Sequence, residues 1–244
     1  MLASHHVLVI NPNTSDSVTQ RLALQLGAGW PQAHIHRATA PFGAAYIADE
    51  YSYCVAGHAV LQAWHNAQAW APVPGYGAVL VGCFGDPGLL ALQEVAGVPV
   101  LGLAQAAVQH MAQQGFARIG IVTGGAQWQP MLQRWSRAHG YADPAAHPHI
   151  AHIHALPATG LKMMQSPDAT AHTLAQASAH MLQSTGVQAV LLGGAGLAGM
   201  GPRVRALAAL PVWDCVEAAQ HTLQQVLGAA DGTVPAFKNR SLMP

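Results

Sequence analysis

Short strand-like runs alternate along this chain with longer stretches in which apolar residues recur every three or four positions. An unbroken apolar run or a period of two predicts a strand, and a period near 3.6 predicts a helix. Strands alternating with helices indicate parallel sheets covered on both faces, as in an α/β fold. The predicted strands are Val7–Ile10, His34–Arg37, Ala78–Val81, Val98–Leu101, Ile119–Val122, Ile150–His154, Ala189–Leu192 and Leu210–Trp213. The main predicted helices are Ser15–Leu26, Tyr53–Trp70, Trp128–His139, Asp168–Ser184 and Val216–Leu227.

These runs repeat at a nearly constant spacing. "INPN" begins at Ile10 and "VTGG" at Val122, 112 residues later, and "PVLG" and "PVWD" are also 112 residues apart. "GCFG" and "GGAG" are 111 residues apart. The repeat predicts two pseudo-symmetric domains, each a four-stranded parallel sheet flanked by helices, with an active site in the cleft between them. We assign residues 1–102 with 216–244 to the first domain and residues 103–215 to the second.

Composition narrows the class of protein. Of 244 residues, 51% are apolar and only 8% charged, with ten basic and ten acidic side chains. This balance provides no positive surface for nucleic acid or for a membrane, so we expect a small-molecule substrate as the partner. The chain shows no transmembrane run and no signal peptide, and its three scattered cysteines predict free thiols in a cytoplasmic protein. The sequence leaves a homo-oligomer open.

A glycine-rich stretch, "LLGGAGLAGMG", raises the question of a dinucleotide cofactor. Gly194, Gly196 and Gly199 match the pattern G-x-G-x-x-G, and Asp214 follows twenty residues after Gly194. That pattern normally opens the first βαβ unit, whereas here it lies late in the second repeat and mirrors "GCFG". We therefore interpret the glycines as a turn that bares backbone N–H groups for a small anion, and we expect no cofactor.

Cys83 is the residue best suited to chemistry. It follows a predicted strand in "VLVGCFGDPGLLAL", and Asp86 with Pro87 predicts the N-cap and first residue of a helix. The positive end of a helix favours a thiolate, so we expect Cys83 to be reactive and faster to alkylate than the other cysteines. Cys54, within a helical stretch, is expected in the core, and Cys215 follows a strand end.

Five motifs resemble the aspartate/glutamate/hydantoin racemase family: "VLVINPNTS", "VGCFGDPGL", "VPVLGLAQAA", "IVTGG" and "VLLGGAGLAG". The resemblance covers nearly the whole chain, and "INPNTS" and "CFGDPG" are typical of the hydantoin racemase branch. It implies an enzyme independent of cofactor and metal, built from two pseudo-symmetric α/β domains. In that family two cysteines face the α-carbon of the substrate from opposite sides, one removing a proton and the other returning it. Cys83 matches the first cysteine, whereas Gly194 occupies the position of the second.

The missing thiol leaves the return of the proton open. Abstraction of a proton next to a carbonyl needs a base on one face and donors for the enolate oxygen. We expect Cys83 to be the base and the backbone near Phe84, Gly85, Gly194 and Ala195 to supply donors. The proton could return from water, from Cys83 itself, or from an acid that the sequence does not reveal.

Further substrate-binding candidates lie in the two mirrored turns. They are Asn11, Asn13, Thr14, Thr123 and Gly124. Thr14 or the neighbouring serine could instead cap the next helix. The stretch "HPHIAHIH" at 147–154 places histidines on one strand face without nearby cysteine or acidic ligands, so we expect no metal site.

The predicted function is racemisation or epimerisation of an amino acid or a hydantoin-like derivative, with Cys83 as the base. One alternative is a single-cysteine decarboxylase, isomerase or lyase of the same family, because the related arylmalonate decarboxylases use one cysteine, at the second position. A second alternative, from another class, is a non-catalytic binder of small carboxylates or ureides.

Overall fold

Two four-stranded parallel sheets form the centre of the molecule in a computed structural model that describes residues 5–73 and 75–228. The strands are β1 (His5–Asn11), β2 (Ala33–Thr39), β3 (Ala78–Val81), β4 (Val100–Gly102), β5 (Arg118–Gly124), β6 (His149–Leu156), β7 (Ala189–Gly193) and β8 (Val212–Asp214). The order is β2-β1-β3-β4 in the first sheet and β6-β5-β7-β8 in the second. The two sheets therefore have equivalent topology, which confirms the predicted fold class.

Helices cover the sheets and connect the strands. They are α1 (Asp16–Ala28), α2 (Glu50–Ala67), α3 (Leu89–Val95), α4 (Leu103–Gln113), α5 (Trp128–Ala138), α6 (Gly160–Met163), α7 (Pro167–Thr185), α8 (Met200–Ala208) and α9 (Cys215–Gly228). Single 3₁₀ turns occur at Gln68–Trp70 and Ala195–Leu197.

All eight predicted strands and the five main predicted helices are present, with ends shifted by three residues at most. Sequence periodicity did not predict α4 and α8. Seven of the eleven residues of α4 are buried, so no polar face marks it as amphipathic. Helix α8 is short and contains a glycine and a proline, which weaken its helical signal.

The core runs continuously through both sheets. The central strands β1, β3, β5 and β7 carry fully buried side chains, among them Val9, Leu80, Ile121 and Leu191. These four residues belong to one apolar cluster, which also includes Leu223 of α9. Because the cluster is shared, the two sheets are held in a fixed relation by apolar packing.

Helices α4 and α9 pack against each other, and α9 also contacts α1. The Thr222 hydroxyl of α9 donates a hydrogen bond to the carbonyl of Ala106 in α4, at 2.9 Å. The assignment of residues 1–102 with 216–244 and of residues 103–215 to separate domains stays a prediction. Within it, residues 1–4 and 229–244, including the tail predicted to be loosely held, lie outside the described residues. Along 5–73 and 75–228, no helix is long and apolar enough to span a membrane.

Asp214, at the end of β8, anchors the segments around it. Its carboxylate accepts hydrogen bonds from the backbone N–H groups of Gly199 (2.6 Å), Met200 (3.0 Å) and Val216 (2.8 Å). One buried carboxylate thus satisfies the starts of both α8 and α9, whose first N–H groups have no acceptor within their helices. Burial outweighs these bonds and raises the pKa of Asp214 to about 6.

We predict that Asp214→Asn makes stability less dependent on pH. An acid whose pKa is raised in the folded state favours folding below its unfolded pKa, near 4, and loses that contribution as pH rises through 6. The free energy of unfolding of the native protein should therefore fall relative to that of Asp214→Asn by about 3 kcal/mol between pH 4 and pH 7. Urea unfolding at several pH values measures this difference, and a constant difference would contradict it.

Candidate active site

A cleft of about 550 Å³, including its open mouth, lies where the carboxyl ends of β1, β3, β5 and β7 meet. This is the edge at which parallel sheets place their ligands. Its lining residues are Asn13, Val18, Tyr46, Ile47, Gly82, Cys83, Phe84, Thr123, Gly124, Trp128, Gly160, Leu161, Gly193, Gly194, Ala195, Gly196 and Leu197. All four predicted turns reach this edge, and both Cys83 and Gly194 line the cleft.

The turn after β3 places Cys83 differently from the expectation. Asp86 is not the N-cap of the next helix, because α3 starts at Leu89 with Gly88 in the capping position. The carboxylate of Asp86 instead accepts hydrogen bonds from the backbone of Ala104 (2.8 Å) and Gln105 (2.9 Å), in the first turn of α4. The prediction was wrong because a local Asp-Pro signal cannot show that the carboxylate caps a helix more distant along the chain.

The thiol of Cys83 is 7% exposed, and burial raises its pKa. The nearby charge of Asp86 raises it further. The expectation that a helix start favours the thiolate is therefore wrong for the empty cleft, since desolvation and a neighbouring acid oppose ionisation. Cys83 is a thiol in this state and becomes a base only when its proton moves elsewhere.

Four backbone N–H groups near the cleft have no acceptor among residues 5–73 and 75–228. Phe84 and Gly85 lie in the turn after β3, and neither N–H is used in that turn. Ala195 and Gly196 begin the 3₁₀ turn after β7, where the first N–H groups have no acceptor within the turn. The donors expected near Phe84, Gly85 and Ala195 are thus present on both sides of the cleft, and Gly196 adds a fourth.

Thr123 and Gly124, at the end of β5, form the opposite wall. The Thr123 side chain is buried, yet its hydroxyl bonds to none of the described residues. Gly124 has no room for a side chain, because a Cβ atom there would lie 2.8 Å from the carbonyl oxygen of Ala158. Thr123 thus presents a free polar group to the cleft, and Gly124 lets the chain pass close to its neighbour.

Gly194 has φ = +126°, a conformation that glycine adopts far more readily than other residues. The expectation of an ordinary backbone at this position is therefore wrong. Space is nevertheless available, since a Cβ atom at Gly194 would meet only the Thr123 hydroxyl oxygen, at 3.6 Å. Backbone conformation, rather than crowding, opposes a cysteine here.

Phe84 brings the two halves together inside the cleft. Its ring lies against the backbone of Gly193, where a Cβ atom would approach the ring to 2.6 Å. Tyr46 donates a hydrogen bond to the carbonyl of Gly124 at 3.3 Å, and the indole N–H of Trp128 donates to the carbonyl of Ile47 at 3.1 Å. These contacts fix both walls, so the spacing across the cleft depends on packing between the halves.

The loop after β1 contributes less than expected. Asn11 is fully buried and does not line the cleft, because its amide holds the loop through bonds to Asn13 Oδ1 (2.9 Å) and Thr19 Oγ1 (3.0 Å). Thr14 also lies outside the lining, and Ser15 occupies the N-cap of α1 without a side-chain capping bond. Only Asn13 reaches the cleft, with an amide nitrogen that donates to none of the described residues.

Sequence reasoning missed the apolar wall of the cleft. Val18, Tyr46, Ile47, Trp128 and Leu161 all line it. They lie in helices or in loops away from the glycine-rich turns, and no local motif distinguishes them from core residues. Their role becomes visible only when the two halves are brought face to face.

The apparent dinucleotide fingerprint has a structural explanation. Its acidic residue, Asp214, bonds to the N–H groups of Gly199 and Met200 at the start of α8. In a dinucleotide-binding protein that helix start would hold the pyrophosphate. A buried carboxylate already occupies the anion position, so these glycines serve the cleft turn and helix packing.

The remaining cysteines and histidines lie away from the cleft lining. Cys54 is exposed, not in the core as expected, because it falls on the solvent face of α2. Cys215 is buried at the start of α9. His152 and His154 are both exposed on β6. Within the described part of the chain, no group of three or more metal-ligating side chains could hold an ion.

Comparison with known proteins agrees with this geometry. The profile described as Asp/Glu/Hydantoin racemase matches residues 7–223. The hydantoin racemase of Paenarthrobacter aurescens is 31% identical over 215 residues, covering 87% of each chain. The hydantoin racemase of Rhizobium meliloti is 29% identical over 233 residues, covering 93% of this chain and 91% of the relative. The structure of allantoin racemase from Klebsiella pneumoniae matches with a TM-score of 0.81 at 27% identity, covering 93% and 89% of the two chains.

Two equivalent parallel sheets with a thiol in the cleft define an α/β enzyme of the racemase and isomerase type. The chain belongs to the Asp/Glu/hydantoin racemase family, as the resemblance of its motifs implied.

We predict that iodoacetamide modifies Cys54 first at neutral pH. Cys54 is exposed, whereas Cys83 and Cys215 are buried with raised pKa values, and the thiolate is the reacting form. Mass mapping over time should show Cys54 modified roughly tenfold faster or more. In urea all three cysteines should react at similar rates, which is the control. Preferential modification of Cys83 in the folded protein would contradict the buried thiol.

Proposed function

We propose that this protein racemises 5-substituted hydantoins without a cofactor, using Cys83 to remove the proton at C5. The observation that supports this most directly is the position of Cys83 in a cleft with free N–H donors on both walls. A base beside preorganised donors is the arrangement that proton abstraction next to a carbonyl requires.

The lining of the cleft favours a neutral substrate. Its polar groups are Asn13, Tyr46, Cys83, Thr123, the Trp128 indole and backbone amides, and none of the lining residues carries a formal charge. A free amino acid would bring an ammonium and a carboxylate into the cleft without a counter-charge, at a cost of several kcal/mol. A hydantoin ring offers carbonyl oxygens and N–H groups instead, which amides and hydroxyls satisfy. The apolar wall suits an alkyl or aryl substituent at C5.

The reaction then proceeds through an enolate. The Cys83 thiolate takes the C5 proton, so an S–H bond forms as the C–H bond breaks, and the electron pair moves onto the neighbouring carbonyl oxygen. Backbone N–H groups such as those of Phe84 and Gly85 stabilise the oxygen that gains charge. Protonation of C5 from the opposite face gives the other enantiomer.

The group that returns the proton is not a cysteine at position 194. The opposite wall carries the free hydroxyl of Thr123 beside Gly194. A hydroxyl is a weak acid, but it can hold a water molecule that delivers the proton. Water held there, Cys83 itself, or another acid would complete the exchange.

We predict that single enantiomers of a 5-alkyl hydantoin, incubated in deuterium oxide, gain deuterium at C5 and lose optical rotation. Cys83→Ser should lower this exchange by about 10³-fold, because an alcohol is a much weaker base than a thiolate. Cys54→Ser, which changes an exposed thiol, is the matched control and should keep full activity.

Other outcomes of this experiment separate the alternatives. Exchange that persists in Cys83→Ser would reject Cys83 as the base. Optically active product from an arylmalonate would indicate a decarboxylase that protonates one face. Hydantoin binding without exchange would indicate a binder rather than an enzyme.

We also predict that Gly194→Cys remains folded, is destabilised, and racemises faster. The positive φ of Gly194 should cost about 1 kcal/mol or more for any side chain. Gly194→Ala is the matched control, since it has the same backbone strain and no thiol. Thermal unfolding measures the cost, and polarimetry measures the rate. Equal rates in the two variants would show that a thiol at this position contributes nothing.

A further inference from the structure

Asp86 and Cys83 form a pair of buried acids in one turn. The backbone N–H of Asp86 donates to the carbonyl of Cys83 at 3.0 Å, so the turn holds the two side chains close in the chain and in space. Asp86 is 5% exposed and Cys83 is 7% exposed. Neither side chain forms an ion pair with a basic residue of the described chain, although a buried carboxylate ordinarily requires a partner of opposite charge.

The position of Asp86 is tightly determined. Its carboxylate accepts two N–H groups of α4, and a Cβ atom at Gly102 would lie only 2.3 Å from its Cγ atom. Asp86 also has φ = +57°, which is uncommon for a residue with a side chain. A strained backbone beside a reactive group is a recurrent feature of functional sites. The fold therefore holds this carboxyl group close to Cys83 at a conformational cost.

We propose that Asp86 is a positioning residue that controls the proton on Cys83. The two groups carry one negative charge between them, and Cys83 becomes a thiolate only while Asp86 holds the proton. This inference rests on the proposed role of Cys83 as the base.

The physical reason is that two buried acids in one site cannot both ionise near neutral pH. Burial raises the pKa of Asp86 to about 7, and the charge of Asp86 raises the pKa of the Cys83 thiol. When the pair has lost one proton, the remaining proton can lie on sulfur or on oxygen. Transfer from sulfur to oxygen creates the thiolate without adding charge to the cleft, and the reverse transfer restores the thiol.

Other titratable groups near the pair do not ionise in this range. Tyr53 and Tyr46 are half-buried with raised pKa values, and the pKa of Tyr141 is raised to about 12. Cys215 is buried, and its pKa is raised well above its ordinary value. Arg134 lies over the ring of Tyr53 and is paired with a glutamate on the surface. Asp86 and Cys83 therefore dominate proton exchange near pH 7.

The consequence is a particular pH dependence. Below the first ionisation of the pair, both groups are protonated and no thiolate forms. Above it, a constant fraction of the protein carries the thiolate, so reactivity rises through about pH 7 and then levels off. Without Asp86, Cys83 must ionise alone, at a pKa that burial keeps above its ordinary value of 9.

The test measures alkylation of Cys83 by iodoacetamide, mapped by mass spectrometry, between pH 5 and pH 10. In the native protein we expect the rate to rise near pH 7 and to reach a plateau. In Asp86→Asn, which keeps an acceptor for α4, the rise near pH 7 should disappear and move upward by about two pH units or more. Asp214→Asn is the matched control, because it removes a buried helix-capping carboxylate elsewhere and should leave the rise near pH 7.

A second measurement does not depend on folding of the Asp86 variant. The ultraviolet absorbance of the thiolate, taken as the difference between the native protein and Cys83→Ser, should appear in two steps, a small one near pH 7 and a large one at high pH. A single step, or an unchanged alkylation profile in Asp86→Asn, would overturn the proposal. Neither readout requires turnover, so a two-step titration in a protein that does not exchange hydantoins would reject the proposed function and leave the proton pair standing.

Discussion

Hydrogen bonds from helix starts to buried carboxylates hold the cleft in shape. Asp214 bonds to the first N–H groups of α8 and α9, and Asp86 bonds to those of α4. By the spacing of 112 residues, Asp214 corresponds to Gly102, whose missing side chain would collide with the carboxyl of Asp86. Both halves thus place a carboxylate at nearly the same structural position, although different segments supply it. The pseudo-symmetry is kept in the chemistry at that position rather than in the sequence.

This arrangement determines which backbone groups remain available. Once the helix starts have a carboxylate partner, the free N–H groups near the cleft are those of the two turns, at Phe84, Gly85, Ala195 and Gly196. They face a lining without formal charge, where a hydrogen bond to a developing oxyanion is stronger than in water. The anionic groups that support the cleft therefore lie behind its wall and not in it, which allows charge to develop on a bound substrate.

The sequence predicted the fold and the main candidate residue because both depend on local or regularly repeated signals. Hydrophobic period and the 112-residue spacing indicated both sheets, and the glycine-flanked turn singled out Cys83. The failures concern contacts between distant segments. Asp86 resembled a local N-cap but caps α4, Asn11 resembled a ligand but holds its own loop, and Gly194 needs a backbone that no motif reveals. The apolar wall, including Trp128, forms only when the halves meet.

The absence of a side chain at Gly194 changes what the first half must do. Where two thiols face one carbon, a proton can leave to one and arrive from the other, and the pair stays at constant charge. Here the wall opposite Cys83 carries a hydroxyl that does not ionise near neutral pH. Cys83 must then gain and lose its proton beside a fixed group of its own half, and Asp86 is the acid that the fold holds next to it. Charge is balanced along one turn instead of across the cleft, which explains why a carboxyl group is buried there at a strained backbone position.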